Sequence, residues 1–106
     1  MLDDYGYPFA RGRVFHTVET DDGQYDEQHE CFWATGAALL LRRSALMNVG
    51  LLDEAFFMHM EEIDLCWRPQ RSGYTVHCET SVAVYHIGGA SLARDNPRKA
   101  YYNFRN

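Results

Sequence analysis

Residues 56–68 read FFMHMEEIDLCWR, and this stretch decides how the rest of the chain is interpreted. Three carboxylates, Glu61, Glu62 and Asp64, fall within four positions, directly after an aromatic run and at the start of a helical pattern. Such a cluster either complements the positive end of a helix dipole or places a base beside a substrate pocket. The residues alone leave both interpretations open.

The same stretch predicts a helix over residues 61–72 that ends at Gly73. Asp64 and Arg68 stand four positions apart, so we expect them to pair on the exposed side of this helix. Pro69 predicts a kink or an earlier end, because a proline inside a helix removes a backbone hydrogen bond.

Outside this helix the pattern is mixed. Ser44 and Gly50 are typical of the start and end of a short helix over residues 45–49. Asn96-Pro97 predicts a last helical turn over residues 98–106. Strands are predicted over 13–18, 74–78 and 81–85, a strand with a buried turn over 31–41, a flexible loop at Gly88-Gly89, and a loop-rich arm over 1–30.

Size and composition fit a single globular domain. The chain has 106 residues, is 46% hydrophobic, and should bury roughly 60–65% of its unfolded surface. The net charge is −5 and Lys99 is the only lysine, so nothing provides the basic stripe of a nucleic-acid-binding protein. The longest wholly apolar stretch, residues 37–41, is far shorter than a membrane span, and the first residues do not resemble a signal peptide.

The cysteine count also bears on location. Cys31, Cys66 and Cys78 form an odd set with no Cys-X-X-Cys pair, which favours reduced thiols in a cytoplasmic protein. Zinc ligation by Cys78, His77 and His86 is a weaker alternative, because no second paired ligand set accompanies them.

Three segments together resemble a known family. The stretch 61–65, EEIDL, is similar to the Glu-Asp–X–Asp-Leu segment of family-2 inverting glycosyltransferases, which have the GT-A nucleotide-sugar fold. WATGA at 33–37 and YHIGGAS at 85–91 repeat the resemblance in the expected order. The resemblance implies an α/β, Rossmann-like domain with two to three helices. It covers nearly all of residues 1–106, but only the acceptor-side half of the family's catalytic domain.

The resemblance also assigns roles. It implies Glu62 as the general base, although the family usually has an aspartate there, with Glu61 beside it. Trp33, Gly36, Ala37 and Asp64 would line the sugar pocket, and His86 would ligate a divalent metal, Mn²⁺ or Mg²⁺. In the alternative, purely structural interpretation, the carboxylates only complement the helix dipole. Trp33 would then belong to the core, and His86 would be a strand-end histidine.

Two hypotheses therefore remain. In the first, the chain is a piece of a larger glycosyltransferase at the inner face of the membrane, which takes a nucleotide-sugar donor and a glycan or lipid-linked acceptor. The piece lacks an Asp-X-Asp motif and a Gly-rich phosphate turn, so we expect it to bind no metal by itself and to self-associate through uncovered surfaces. In the second, it is a non-catalytic interaction or carbohydrate-binding module.

Overall fold

The structure, a computed structural model, describes residues 1–14, 16–87, 92–93 and 95–106. Its strands and helices are short, and both kinds occur along the chain, which is consistent with the expected α/β class. In chain order they are β1 (Arg13–Val14), β2 (Thr17–Val18), β3 (His29–Glu30), α1 (Arg43–Val49), α2 (Glu61–Arg71), β4 (His77–Cys78) and α3 (Pro97–Arg105). Single turns of 3₁₀ helix cover Gly36–Ala38 and Glu54–Phe56.

The strands pair into two small antiparallel ladders. β1 pairs with β2, with Arg13 opposite Val18, so the predicted single strand over 13–18 is in fact two short strands that pair with each other. β3 pairs with β4, and the backbone N–H of Cys31 extends this ladder by donating to the carbonyl of Val76 at 2.8 Å. This second ladder joins the end of the arm to the segment that follows α2.

Two strand predictions are wrong. Residues 81–85 form no strand and are exposed to solvent. Residues 31–41 contain the 3₁₀ turn Gly36–Ala38 in place of a strand with a buried turn, and this turn is exposed. An apolar run forms a strand only where a neighbouring strand pairs with it, and the described residues provide no such partner for these two segments. The predicted Gly88-Gly89 loop lies outside the described residues.

The three helix predictions are confirmed, with corrections at their ends. Helix α1 starts two residues earlier than predicted, and Arg42, rather than Ser44, is the residue before its first turn. Helix α2 continues to Arg71, two residues past Pro69, so it does not end early at the proline. Helix α3 begins as expected, with the side chain of Asn96 accepting a bond from the backbone N–H of Arg98 at 3.0 Å.

The centre of the chain lies along α2. Leu65 and Cys66 are the buried hydrophobic side chains of the described part of the chain, and Pro69 lies on the same face. Arg68 connects α2 to α1: its guanidinium donates to the carbonyls of Val49 at 2.6 Å and Leu51 at 2.7 Å. These contacts hold α1 against α2, and the carboxylate cluster lies in the first turn of α2.

Much apolar surface remains uncovered. The chain exposes 8707 Å², whereas a compact monomer of its mass exposes about 6,100 Å². Tyr85 is 100% exposed and Leu40 is 99% exposed, and Phe57 and Phe104 are also largely exposed. The burial predicted from chain length is therefore not reached. No helix of the described ranges is long and apolar enough to cross a membrane.

Candidate functional site at the start of helix α2

The carboxylate cluster occupies the first turn of α2, where Glu61, Glu62 and Asp64 lie. No side chain caps this helix start, and the carbonyl of Met60 accepts the backbone N–H groups of Ile63 and Asp64, both at 3.1 Å. Carboxylates are favoured here because the first N–H groups of a helix and its dipole present positive charge. This placement fits both interpretations of the cluster, as catalytic groups and as charges that only complement the helix dipole.

The loop before α2 has an unusual backbone. Phe57, His59 and Met60 have φ angles of 60°, 67° and 69°, which are uncommon for residues with a side chain. Backbone of this kind is found mainly where surrounding contacts over-determine it, and such places are often functional sites. The positive φ angles of this loop therefore distinguish the start of α2 from an ordinary helix start.

Glu62 has the electrostatics that a proton acceptor needs. Its side chain is half-buried, and burial raises the pKa of the Glu62 carboxyl above its ordinary value. The backbone N–H of Glu62 lowers this pKa, the Glu61 carboxylate raises it and the nearby His59 lowers it, each by less than burial raises it. A carboxylate with a raised pKa holds a proton more readily near neutral pH, as a general base must.

Three buried polar atoms at this position have no hydrogen-bond partner among the described residues: His59 Nε2, Glu61 Oε2 and Glu62 Oε2. Buried polar atoms are nearly always paired, so a cluster of unpaired ones asks for an explanation. A substrate hydroxyl or a water molecule would satisfy these atoms. Glu61 and Glu62 each keep an acceptor oxygen that no described residue uses.

Asp64 differs from the two glutamates. Its Oδ2 accepts a bond from Arg68 Nε at 2.8 Å, as the spacing predicts, but the pair is largely shielded and not on the exposed side. Arg68 lies there because it also reaches the carbonyls after α1. The substrate-binding role of Asp64 stays a prediction. A substrate that bound Asp64 would share its carboxylate with Arg68.

The WATGA segment lies beside α2. The backbone N–H of Ala34 points to Cys66 Sγ at 3.5 Å, and the Gln70 side chain donates to the carbonyl of Phe32 at 2.6 Å. Trp33 is half-buried, and its indole N–H donates to the carbonyl of Met1 at 3.0 Å. The structure thus brings this segment to the helix that carries Glu62, one turn away from it.

Gly36 and Ala37 are exposed in the 3₁₀ turn that follows. A Cβ added at Gly36 would meet nothing within 4 Å, so this turn leaves open space. Gly36 and Ala37 thus lie on open surface, and their role in lining a sugar pocket stays a prediction. A surface cavity of about 570 Å³ lies elsewhere, in the arm, where Phe9 and Tyr25 are among the residues that line it.

His86 is exposed and follows the irregular segment 81–85. The two glycines of its motif lie outside the described residues. Within the described ranges no group of three or more His, Cys, Asp or Glu side chains could hold a metal ion. The described residues give no support to the zinc alternative through Cys78, His77 and His86, and the role of His86 toward a divalent metal in a longer enzyme stays a prediction.

The cysteines are all free thiols. Burial raises the pKa of both Cys66 and Cys31, which disfavours their thiolate forms. Such thiols are poor nucleophiles. They contribute to packing around α2 and not to the candidate chemistry.

Two residues that the sequence did not single out reach the loop before α2. The two N–H groups of Asn106 Nδ2 are shared among three carbonyls, those of His59 at 2.7 Å, Met58 at 2.8 Å and Phe56 at 3.0 Å. Arg105 donates from Nη2 to the carbonyls of Ala55 and Phe56. No local sequence pattern predicts these bonds, since their acceptors are four backbone carbonyls that lie 47 to 50 residues earlier in the chain.

Comparison with curated proteins gives relatives of one kind. The chain is 41% identical over 63 residues to N-acetylglucosaminyl-diphospho-decaprenol L-rhamnosyltransferase of Mycobacterium tuberculosis, which is 59% of this chain and 20% of the relative. It is 33% identical over 100 residues to the pre-mycofactocin glycosyltransferase of the same species, covering 90% of this chain and 21% of the relative. It is 28% identical over 74 residues to the low-salt glycan biosynthesis hexosyltransferase Agl10 of Haloferax volcanii, covering 69% and 24%.

These relatives support a glycosyltransferase family for the chain. The chain spans about a fifth to a quarter of the length of each. No family model matches the chain. No solved structure matches it either.

Proposed function

We propose that this chain is the acceptor-side part of an inverting family-2 glycosyltransferase with a GT-A fold, and that Glu62 is its general base. The observation that carries the proposal is the half-buried Glu62 carboxyl, whose Oε2 atom has no partner among the described residues. It lies in the EEIDL segment, where the resemblance expects the base. The glycosyltransferase relatives support the same reaction class.

In this reaction Glu62 takes the proton of an acceptor hydroxyl while the hydroxyl oxygen attacks the anomeric carbon of the donor sugar. The bond between that carbon and the nucleoside diphosphate breaks, and the diphosphate leaves with its electron pair. Partial burial of Glu62 suits this task, because the carboxylate gains basicity when water is withdrawn from it. Glu61 supplies adjacent negative charge that raises the same pKa further.

A divalent metal, Mn²⁺ or Mg²⁺, is proposed for the whole enzyme, where it would stabilise the departing diphosphate. The described residues do not make up its site, so His86 would need ligands from outside them. The steps assigned to this chain concern only the acceptor side. Trp33, Gly36, Ala37 and Asp64 are proposed to line the pocket there.

The donor is proposed to be a nucleotide sugar, and the acceptor a glycan or a lipid-linked glycan at the cytoplasmic face of a membrane. One relative is named as an L-rhamnosyltransferase acting on a decaprenol-linked sugar. Thymidine diphosphate rhamnose therefore heads the panel of donors to test, ahead of uridine diphosphate hexoses.

The test compares the full-length protein that carries these residues with the isolated chain. We expect sugar transfer from one donor of the panel by the full-length protein. The isolated chain should show no transfer, and calorimetry with Mn²⁺ should show only weak donor binding, because the donor side supplies most contacts to the diphosphate. Micromolar donor affinity of the isolated chain would contradict the assignment to the acceptor side.

The uncovered surface offers a second check. The excess of roughly 2,600 Å² over a compact monomer is large enough for a stable interface. We propose that the rest of the catalytic domain covers it in the enzyme, and that the isolated chain forms a homo-oligomer through exposed residues such as Phe57, Val82 and Tyr85. Sedimentation at micromolar concentration measures this. A monomer with cooperative unfolding would favour the non-catalytic module.

A further inference from the structure

We propose that Asn106, oriented by Arg105, is a positioning residue that holds the loop 55–60 in its left-handed backbone and thereby fixes the Glu61–Glu62 pair. The catalytic consequence rests on the proposed function, whereas the structural claim does not. We call the side chains of Arg105 and Asn106 together the clamp.

The loop needs an external holder. Phe57, His59 and Met60 adopt positive φ angles, which residues with a Cβ avoid unless contacts impose them. Within the loop, the backbone N–H of Met58 donates to the carbonyl of Phe56 at 2.6 Å, and that of Phe57 donates to the carbonyl of Glu54 at 3.2 Å. Neither bond restrains the peptide planes on either side of His59, which lead directly into α2.

The clamp restrains those planes. Asn106 Nδ2 donates to the carbonyls of Met58 at 2.8 Å and His59 at 2.7 Å, and these two carbonyls belong to the planes that flank His59 and precede Met60. If either plane rotated toward the ordinary right-handed region, its carbonyl would leave the amide. The bonds therefore select the strained conformation over the relaxed one.

The orientation of the Asn106 amide is determined by its surroundings. Three carbonyl oxygens surround the amide nitrogen, and only the NH₂ end can donate to them. On the other side, Arg105 Nε donates to Asn106 Oδ1 at 2.8 Å. Arg105 thus fixes which end of the amide faces the loop, while its own Nη2 reaches the carbonyl of Phe56 at 3.0 Å.

Helix α3 brings the clamp to the loop through one more contact. The rings of Phe57 and Tyr102 lie 5.5 Å apart, and the Arg105 guanidinium lies 5.5 Å from the Tyr102 ring centre. Because Met60 is the residue directly before Glu61, a relaxed loop would rotate the first turn of α2 and move both carboxylates. The clamp therefore acts on the site without being placed to touch the substrate.

The first experiment uses the wild-type 106-residue chain and needs no variant. Nuclear magnetic resonance should show slowly exchanging Asn106 side-chain NH₂ protons with cross-relaxation to residues 58–60. Rapidly exchanging NH₂ protons with no contact to the loop would overturn the proposal, whether or not the chain proves to be part of a glycosyltransferase.

The second experiment compares Asn106→Ala with Asn103→Ala, which removes the same amide one turn earlier on α3. Asn103 makes no side-chain hydrogen bond to any part of the chain that the structure describes. We expect Asn106→Ala to shift the backbone resonances of residues 57–62 and to return the titration of Glu62 toward that of an exposed glutamate. Asn103→Ala should leave both unchanged. If Asn106→Ala folds poorly, Asn106→Gln replaces it in the comparison. Because glutamine keeps the amide donor, this variant should shift the resonances of residues 57–62 less than Asn106→Ala does.

In the full-length enzyme, Asn106→Ala should lower kcat by about 10- to 100-fold, the effect of misplacing a reacting group by about 1 Å. The KM for the donor should stay within about twofold, because the clamp lies on the acceptor side. Equal losses for Asn106→Ala and Asn103→Ala would reduce the clamp to a general stabilising role and overturn the proposal.

Discussion

The arm of residues 1–30 and the centre built on α2 are held by different kinds of contact. In the arm, Asp3 Oδ1 accepts the backbone N–H groups of Tyr5 and Tyr7 at 2.9 and 2.8 Å, and most other bonds are equally local. In the centre, Asn106 and Gln70 reach carbonyls that are 38 to 50 residues away. Local bonds shape a segment wherever it lies, whereas distant bonds exist only once the chain has folded. The site combines local bonds at the start of α2 with distant bonds from Asn106 to the preceding loop.

The largest expected effect tests whether this centre is an active site. In the full-length enzyme, Glu62→Gln should lower kcat by about 10²–10⁴-fold, because a general base acts in the transition state. Donor affinity should change little. Transfer assays with calorimetry on the same preparation measure both.

Glu61→Gln is the matched control for that experiment, since it makes the same change at the neighbouring position. We expect a smaller loss there, because Glu61 acts on Glu62 by charge. If Glu61→Gln or Asp64→Asn abolished transfer while Glu62→Gln kept it, the assignment within the cluster would be wrong.

The next effect concerns the connection between helices. Arg68→Met keeps the aliphatic stem but removes the bonds to Asp64, Val49 and Leu51. Leaving these acceptors unpaired should lower the free energy of unfolding by about 2 kcal/mol. Arg71→Met on the same helix is the control, because the Arg71 guanidinium only lies over the Trp67 ring. Equal losses in denaturant unfolding would mean that the centre does not depend on its distant bonds.

The same contrast explains what the sequence could predict. The helices α1, α2 and α3 follow from spacing and from punctuation at Gly50, Gly73 and Asn96-Pro97, and all are confirmed. The strand over 81–85 is wrong, because an apolar run becomes a strand only beside a partner strand. The clamp bonds to backbone carbonyls, which every residue possesses, so no residue pattern could reveal them. The roles of Trp33, Gly36, Ala37 and His86 stay predictions.

A smaller effect concerns stability and pH. The pKa of Glu62 is higher in the folded chain than in the unfolded one, so the folded state binds more protons between these two pKa values. The contribution of Glu62 to stability therefore falls as pH rises through that window. Glu62→Gln should raise Tm at pH 7 by about 2–4 °C, corresponding to roughly 0.5 kcal/mol for a partly screened group.

That gain should disappear well below the unfolded-state pKa of glutamate, at about pH 3, where Glu62 is neutral in both the folded and the unfolded chain. Thermal unfolding at pH 7 and at about pH 3 measures it, with Glu54→Gln at an exposed position as the control. A gain that persists unchanged at about pH 3 would show that burial of the charge at Glu62 is not its cause.

The smallest effect should come from the arm, where a hydrogen bond between Trp33 and Met1 joins its beginning to the segment beside α2. Trp33→Phe keeps a ring beside α2 but removes the indole N–H that donates to the carbonyl of Met1 at 3.0 Å. Met1 in turn accepts the backbone N–H of Phe9 at 3.0 Å, so that amide should lose most of its protection from hydrogen exchange. The Tm should fall by only about 2 °C, because the arm contributes little burial. Trp67→Phe, at an exposed position of α2, should leave the Phe9 amide protected. If Trp33→Phe instead exposed the amides of α2, the arm would be part of the centre and the two regions would unfold as one.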